Sequence, residues 1–413
     1  MKVIQALVVA PVLASGVAAR DVLVVDQAGG ADHVFIHEAI AAADAGDTIL
    51  VRSGEYLPFT IDGAGLTVVA EPDAEVTIRG TSLIANLKAH QRVLMTGLHF
   101  EAEFFLNALN ITNCQGPIWI EDGSWKGSDE LSFVNNGEAG RIIGSSSVTF
   151  NRMVFEAGAN GDLREAPGNG LFMEDSTVYM FDSIIKAGHG SSTLVSAANG
   201  QGGAGILVNG GFLYLSNCLV QGGDGGSGED AVACAAGGDG GAAVVLYGDE
   251  PEVQLIGTKL RGGAAGPTGE GCEPGSVGMP YQIFSGEVND TPGRARSMRA
   301  QESVVLVGED LTLEVNGLPG DLALVAFSVD QMPIYLLGLG GPFLLASSPL
   351  VVLPGGYIGD DGLLITSNQI APLGGVESVL LFSQLVVVPP AGAAVQVGSG
   401  QALVFLEPIL TGE

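Results

Sequence analysis

The sequence of 413 residues is poor in basic residues, with 16 Lys and Arg against 46 Asp and Glu, and its formal net charge is −30. Binding to phosphate groups needs clustered Lys and Arg, so this balance excludes nucleic acid as a partner and disfavours anionic membranes. An acidic surface is compatible with cation binding. The simpler interpretation, which we favour, is a solvated surface that keeps the protein soluble.

Long apolar runs are also scarce. No stretch after the N-terminus reaches the ~20 apolar residues of a membrane helix, and the run at 379–388 is too short. At the N-terminus, Lys2, an apolar segment at 3–13 and small residues at 17–19 form the pattern of a secretory signal peptide. The sequence therefore predicts a mature chain that begins near Arg20 and is secreted, extracellular or held at the cell surface.

Aromatic residues make up only 6% of the chain, whereas glycine contributes 63 residues without a Gly-X-Y period. The apolar share of 46% is too high for a disordered chain, so stacked turns explain the glycine content better than disorder does.

A sequence repeat supports stacked turns. It has apolar residues at offsets 0, +2 and +7, a polar or glycine residue near +3 or +4, and small residues after it. Its copies are Val93/Met95/Phe100, Ile118/Ile120/Trp125, Val148/Phe150/Phe155, Val178/Met180/Ile185, Leu213/Leu215/Val220, Val253/Leu255/Leu260 and, as a weaker fit, Val76/Ile78/Leu83.

The offsets predict two strands joined by a bend. Positions 0 and +2 share one face of a strand, and +7 has the wrong parity for the same straight strand. Repeats of roughly 25–40 residues indicate a solenoid, and single bends without hairpins favour a parallel β-helix over a propeller. The loop after each copy lengthens along the chain, which predicts a wall of long loops on the C-terminal coils.

An amphipathic helix precedes the repeats, with Ile36, Ala39, Ile40 and Ala43 on one face, and it would cap the first coil. The pattern Ile-x-x-Ala-Ile-x-x-Ala, followed by Gly-Asp-Thr-Ile-x-Val and Gly-x-Tyr over 36–56, resembles the entry segment of the pectin-lyase-like right-handed β-helix superfamily. The resemblance is strongest over 22–100 and extends to about 287. It implies a right-handed parallel β-helix over 20–288.

The remainder of the chain changes character. Residues 289–303 are predicted to be a linker that carries the basic cluster Arg294, Arg296 and Arg299, which could contact the acidic solenoid or invite proteolysis. Short apolar runs between Gly-Pro turns over 304–413 predict a β-sandwich. This segment resembles a C-terminal module of secreted bacterial proteins, and attachment to a surface is its expected role. The predicted fold class is thus all-β, with a capped solenoid followed by a small sandwich.

The resembling superfamily contains polysaccharide lyases, glycoside hydrolases, adhesins and proteins without catalytic activity. The resemblance implies a Lys or Arg base and acids that hold Ca²⁺ for a lyase, but the solenoid bases Arg152, Lys186, Lys259 and Arg261 are scattered along the strands. We therefore favour a non-catalytic monomer that binds glycan or other surface material. A polysaccharide lyase or glycoside hydrolase is the alternative, and a spacer or adhesin is a third hypothesis.

The candidate ligand-binding residues are Trp119, Asp162, Arg164 and His189. Trp119, at offset +1, could present a sugar-stacking surface. His189 lies in a Gly-His-Gly sequence like that of polygalacturonases, but the solenoid lacks their other motifs, and an ordinary loop residue is the favoured interpretation.

Ca²⁺ is the only cofactor that the sequence suggests. The candidate metal ligands are four acids of the long loops, Asp224, Glu229, Asp230 and Asp239. We favour the interpretation that these acids are solvated and bind no metal.

The four cysteines fall into two pairs. Cys234 and Cys272 occupy equivalent long loops of neighbouring coils, so stacking would bring them together, and export would allow a disulfide. Cys114 and Cys218 follow asparagines at strand bends and are predicted to be buried free thiols.

Overall fold

The computed structural model describes residues 21–103, 107–128, 137–158, 167–191, 200–228, 236–268, 272–335, 339–347, 349–373, 376–390 and 394–407. Residues 1–20, which contain the predicted signal peptide, lie outside this set. The described part contains one α-helix and is otherwise built from strands and irregular segments.

The first part of the chain is a succession of short strands with the helix α1 near its start. In chain order the elements are β1 (Val22–Val25), α1 (Ile36–Ala42), β2 (Thr48–Val51), β3 (Gly54–Tyr56), β4 (Thr60–Asp62), β5 (Thr67–Ala70), β6 (Val76–Arg79), β7 (Ser82–Ala85), β8 (Val93–Thr96), β9 (Leu98–Glu101), β10 (Leu109–Thr112), β11 (Ile118–Glu121), β12 (Ser124–Lys126), β13 (Gly140–Ile143), β14 (Val148–Asn151), β15 (Val154–Glu156), β16 (Leu171–Phe181), β17 (Ile184–Lys186), β18 (Ile206–Ser216), β19 (Leu219–Gln221), β20 (Val244–Tyr247), β21 (Glu252–Ile256), β22 (Lys259–Arg261), β23 (Tyr281–Ile283) and β24 (Glu287–Thr291).

These strands pair in parallel and form the three faces of a parallel β-helix. Face A contains β1, β2, β5, β8, β11, β14, the second halves of β16 and β18, β21 and β24. Face B contains β4, β7, β10, β13, the first halves of β16 and β18, β20 and β23. Face C contains β3, β6, β9, β12, β15, β17, β19 and β22. Each full coil therefore runs from face B through face A to face C.

The repeated apolar triplets form the core, as the sequence predicts. The +2 residues pair in register from coil to coil on face A, and the +7 residues do the same on face C; these rows are Met95, Ile120, Phe150, Met180, Leu215 and Leu255, and Phe100, Trp125, Phe155, Ile185, Val220 and Leu260. Trp125, Phe150 and Phe155 pack edge to face with ring centroids 5.0–5.1 Å apart. Each such aromatic pair adds about 1 kcal/mol to the burial of the rings.

The weakest of the predicted copies was wrong. Val76 and Ile78 lie on face C, where they pair with Leu98 and Phe100, and Leu83 lies on face B. The predicted cap is confirmed, because α1 buries Ile36 and Ala39 against the first coils.

The lengthening loops form an ordered layer in the part that the structure describes. We call the extended segments 187–191, 200–205, 222–228, 237–243, 262–268 and 275–280 the glycine array. The amide of Gly203 donates to the carbonyl of Gly188 at 3.0 Å, Gly223 donates to Gly203 at 2.9 Å, and Gly241 donates to Gly223 at 2.8 Å. The chains lie so close that a Cβ added at Gly223 would meet the carbonyl oxygen of Gly188 at 1.8 Å. Only glycine fits such spacing, by the same steric reason that applies at the axis of collagen.

The second part of the chain forms a β-sandwich. Its strands are β25 (Ser297–Ala300), β26 (Val304–Leu306), β27 (Asp310–Asn316), β28 (Leu322–Ser328), β29 (Gln331–Tyr335), β30 (Pro342–Leu345), β31 (Leu350–Tyr357), β32 (Leu363–Gln369), β33 (Ser378–Val388) and β34 (Gln396–Leu406). A three-stranded sheet (β25, β27, β32) faces a five-stranded sheet (β26, β34, β33, β28, β31), and a shared apolar core lies between them. The predicted linker 289–303 contains the end of β24 and all of β25.

The sandwich packs along the side of the solenoid, on the outward side of face A. Trp119, Phe181 and Tyr214 on the solenoid share an apolar cluster with Phe382 and Leu344 on the sandwich. Trp119 and Phe382 have ring centroids 5.5 Å apart. The two units therefore bury a continuous interface, and a groove remains open along one of its margins.

Candidate functional site

The groove is built on the bend between faces A and C. In the coils from β8 to β21 one residue in the left-handed backbone conformation turns the chain at this bend, and these residues stack one above another. Asp122, Arg152, Asp182 and Asn217 occupy this position with φ of 55°, 52°, 50° and 54°. Short polar side chains are tolerated in this conformation, whereas arginine is unusual there. We call these four residues the bend ladder.

Arg152 is held within the bend ladder by two acids. Its Nε and one Nη donate to the two carboxylate oxygens of Asp122 at 2.6 and 2.7 Å, and Glu121 lies 3.6 Å away. Ser303, from the sandwich side, donates to Asp122 at 2.7 Å. Desolvation lowers the pKa of Arg152, but the hydrogen bond and charge of Asp122 and the charge of Glu121 outweigh it and raise the pKa. Arg152 therefore stays protonated and is unsuited to act as a base.

The two carboxylates that flank Arg152 on the bend ladder have pKa values shifted in opposite directions. Burial opposes ionisation of Asp122, but the hydrogen bonds and charge of Arg152 outweigh it and lower its pKa. At Asp182 burial dominates and raises the pKa, although Asn217 donates to this carboxylate at 2.6 Å. Asp122 is therefore ionised near neutral pH, and Asp182 holds its proton to higher pH than an ordinary aspartate.

Three residues of the bend ladder, Asp122, Arg152 and Asp182, form the floor of a groove of about 840 Å³ between the solenoid and the three-stranded sheet of the sandwich. The solenoid wall contains carboxylates, an imidazole and hydroxyl groups, and the sandwich wall contributes a guanidinium, amides and more acids. The polar lining residues are Glu71, Asp73, Thr96, His99, Asp122, Ser124, Arg152, Asp182, Ser297, Arg299, Gln301, Glu302, Ser303, Glu314 and Asn316. This lining offers many hydrogen-bond donors and acceptors along an open channel.

Arg299 and Arg296 of the predicted basic cluster have different surroundings. Arg299 lines the groove. Arg296 is buried inside the sandwich, and its Nε donates to Asp321 at 2.7 Å. Of these two arginines, Arg299 alone can meet a ligand in the groove.

Behind the groove, Glu121 is completely buried between the solenoid and the sandwich. Its Oε2 accepts hydrogen bonds from Trp119 Nε1 at 2.8 Å and from the amide of Ala402 at 3.2 Å, whereas its Oε1 has no partner. Burial raises the pKa of Glu121 to about 7, and the charge of Arg152 only partly opposes this. Glu121 is therefore a titrating group within the interface.

Trp119, predicted as an exposed sugar-stacking residue, is fully buried. The prediction was wrong because it assumed that the outward side of face A is exposed to solvent, whereas the sandwich covers it. Trp119 thus serves the interface and cannot stack on a ligand.

Three other predicted residues lie in the glycine array and take part in its hydrogen bonds. His189 Nδ1 accepts from the amide of Asp224 at 3.1 Å and lies 3.4 Å from the Asp224 carboxylate. The Asp224 carboxylate accepts from the amide of Ala264 at 2.7 Å, and Asp239 accepts from the amide of Ser276 at 2.6 Å. Among the described residues no three His, Cys, Asp or Glu side chains group as a metal site would require.

The remaining predicted residues are outside the described part of the chain, namely Asp162, Arg164, Glu229, Asp230 and Cys234. The pairing of Cys234 with Cys272 therefore stays a prediction. Cys114 and Cys218 are buried free thiols, as expected from the sequence.

The bases on face C belong to a row of alternating charge. Lys186 points outward and pairs with Glu156 at 2.7 Å, and Arg79 pairs with Glu101 at 3.3 Å. Arg261, the last residue of β22, ends this outward row. Lys259, the first residue of the same strand, also points outward and belongs to the parallel row beside it. These exposed pairs contribute little individually, roughly 0–1 kcal/mol each, and complement the charges of successive coils.

The fold and the groove define an elongated β-helix protein with a β-sandwich packed along its side. No protein-family model matches the chain, and a search of curated proteins finds no match. No helix in the described part of the chain is long and apolar enough to cross a membrane.

Solved structures with some similarity come from bacteriophage CBA120. The enzymatically active domain of its tailspike protein 2 aligns at 9% identity and a TM-score of 0.28, covering 91% of this chain and 74% of that one. The corresponding domain of tailspike protein 4 aligns at 12% identity and a TM-score of 0.27, covering 89% of this chain and 65% of that one. TM-scores this low transfer no activity to the present chain.

Proposed function

We propose that this protein is an extracellular or cell-surface β-helix protein that binds polysaccharide in the groove between the solenoid and the sandwich. The groove itself is the observation that carries the proposal, because it is open, about 840 Å³ in volume and lined by polar side chains from several successive coils. Coils repeat every ~4.8 Å, so equivalent backbone positions recur along the groove at regular intervals. A linear polymer with many hydroxyl groups suits such a lining better than a compact small molecule.

The binding proposal is tested with a panel of neutral and acidic polysaccharides, each with and without Ca²⁺. Arg299→Ala removes a groove cation, and we expect it to raise the dissociation constant about tenfold, because a hydrogen bond to a charged group contributes roughly 1.5–3 kcal/mol. Arg261→Ala is the matched control, since it removes an exposed guanidinium from a part of face C that does not line the groove. The proposal would be contradicted if wild type, Arg299→Ala and Arg261→Ala had equal affinities, or if the wild type bound no member of the panel.

A second candidate function is hydrolysis of the bound glycan, and the opposite pKa shifts of Asp122 and Asp182 favour it. Two coils separate these residues on the bend ladder, which corresponds to roughly 9.5 Å, near the upper end of the carboxylate separation in inverting glycosidases. In this mechanism Asp182 would protonate the leaving oxygen, and Asp122, kept ionised by Arg152, would activate water. Arg152 would then be a positioning residue.

The hydrolysis candidate predicts release of reducing ends from a polysaccharide of the panel. Asp182→Asn should lower that rate at least about a hundredfold, as expected for loss of a general acid, while binding persists. Asp175→Asn is the control, because Asp175 has the same left-handed backbone conformation at a different bend. Binding without any reducing ends would reject hydrolysis and leave the binding proposal intact.

The proposal also includes the properties that the sequence predicts. These are membership of the pectin-lyase-like superfamily, export directed by residues 1–19, a solenoid over 20–288 joined through 289–303 to the sandwich over 304–413, the disulfide between Cys234 and Cys272, and a monomeric state. Ca²⁺ enters as a condition of the binding panel, since the groove carries several carboxylates. Support for these points comes from the sequence patterns.

A further inference from the structure

The two ends of the solenoid core are covered differently. At the N-terminal end, α1 lies over the first coils and buries Ile36 and Ala39. At the C-terminal end, the core rows of face B finish at Tyr281 and Ile283 on β23, which pair with Val244 and Leu246 of the coil before. In the described part of the chain β23 pairs only with β20, and β24 pairs only with β21, so each has a free edge.

The open end is apolar. Tyr281 and Ile283 occupy core rows and yet are 48% and 43% exposed, and the neighbouring Phe284 is 69% exposed. Met279 and Val277, just before β23, are exposed as well. Neighbouring exposed apolar residues beside free strand edges are typical of a surface that receives a partner.

The charge at this end identifies the kind of partner. Asp290 continues the core row of Met180, Leu215 and Leu255, so an acid stands where the column would otherwise present an apolar residue. Glu287, three residues before Asp290, is also exposed, and the sequence has no Lys or Arg between 262 and 293. A second copy of this acidic end would bring like charges together. A basic partner would instead pair with Asp290.

We propose that the open end of the solenoid binds an extended segment of another protein in which apolar residues alternate with Lys or Arg. The segment follows the path of a further coil: it adds a β-strand to the free edge of β23, where its apolar side chains cover Tyr281, Ile283 and Phe284, and it continues along the free edge of β24. There its inward side chains are basic and face Asp290, an inward residue of β24. This surface is separate from the groove, and the inference does not depend on the proposed function.

The test uses the full-length protein and a short synthetic peptide that alternates valine with lysine, with binding measured by fluorescence anisotropy of the labelled peptide. Phe284→Ser and Asp290→Asn should each weaken binding about tenfold, through lost apolar contact and a lost charge pair. Tyr357→Ser is the control, because Tyr357 is 70% exposed on the sandwich. A peptide that alternates serine with lysine carries the same charge and should bind at least about tenfold more weakly than the valine peptide.

Several results would overturn this inference. One is equal binding of the serine and valine peptides, which would reduce the interaction to general attraction by an acidic protein. Unchanged binding to Phe284→Ser and Asp290→Asn would place the peptide elsewhere. Sedimentation that reveals a dimer of the free protein, abolished by Phe284→Ser, would make a second copy the occupant and reject the cationic segment.

Discussion

Replacing Gly223 by alanine is expected to disrupt the glycine array and to lower the free energy of unfolding of the solenoid by about 3 kcal/mol or more. The added Cβ would lie 1.8 Å from the carbonyl oxygen of Gly188 and 2.9 Å from the amide nitrogen of Gly203. Both neighbours are backbone atoms, which cannot rotate away as a side chain can. The Gly223 amide also donates to Gly203, so moving the chain breaks the hydrogen bond that spaces the segments.

This expectation is checked by thermal unfolding together with hydrogen exchange of the Gly203 and Gly241 amides. Asp224→Ala is the matched control, since it alters the adjacent residue without adding an atom near the backbone. It removes the carboxylate that accepts from the amide of Ala264, and should cost only about 1 kcal/mol. If Gly223→Ala retains the wild-type unfolding midpoint and the wild-type exchange rates, the close packing of the array is incorrect.

The solenoid was predictable from the sequence because its core obeys a local rule. Positions 0, +2 and +7 are apolar in every clear copy, and alternation along strands assigns each position to one face. The copy at Val76 failed because the first coils have short connections, so an apolar residue of the next face-B strand, Leu83, falls at the +7 offset by chance. The pattern thus gave the fold class and the register of the later coils.

The docking of the sandwich was missed although the sequence carried a signal for it. Strands with only one buried side alternate apolar and polar residues, whereas strands buried on both sides are apolar throughout. The face-A strands Thr48–Val51, Thr67–Ala70 and Val93–Thr96 are buried at every position. Their outward Leu50, Val69 and Leu94 indicated a second layer, although which part of the chain supplies that layer depends on contacts between residues far apart in sequence.

The groove was predictable only in part. The sequence identified the bend position near offset +4 as a turn, and Asp122, Asp182 and Asn217 satisfy that rule. Arg152 does not, because an arginine has no local reason to adopt a left-handed conformation. An arginine at this position indicates that contacts with other residues hold it there. The partner, Asp122, lies one coil away and is brought into contact only when the coils stack. Ser303 and Arg299 join them only through the docking of the sandwich.

The buried carboxyl of Glu121 is expected to make the stability of the interface depend on pH. Its pKa is about 7 in the folded protein, against an ordinary value of 4.5. Between these two values the folded state holds a proton that the unfolded chain has released, so the contribution of Glu121 to stability is fully present below about pH 4.5 and is lost as the pH rises through 7. The shift corresponds to about 3 kcal/mol between the two limits.

Glu121→Gln should remove this pH dependence, because the amide oxygen can still accept from Trp119 and Ala402 without carrying a charge. Asp182 also has a raised pKa and contributes a slope of the same sign, so the quantity to compare is the difference between wild type and variant. Glu156→Gln is the control, since this acid is partly exposed on face C and pairs only with Lys186 among the ion pairs of the described residues. Urea unfolding followed by tryptophan fluorescence between pH 4.5 and 8 measures the effect, with Trp119 as the reporter within the interface. If the difference in the free energy of unfolding between wild type and variant stays constant over that range, Glu121 does not titrate there. The packing of the sandwich on the solenoid would then not depend on the protonation of Glu121.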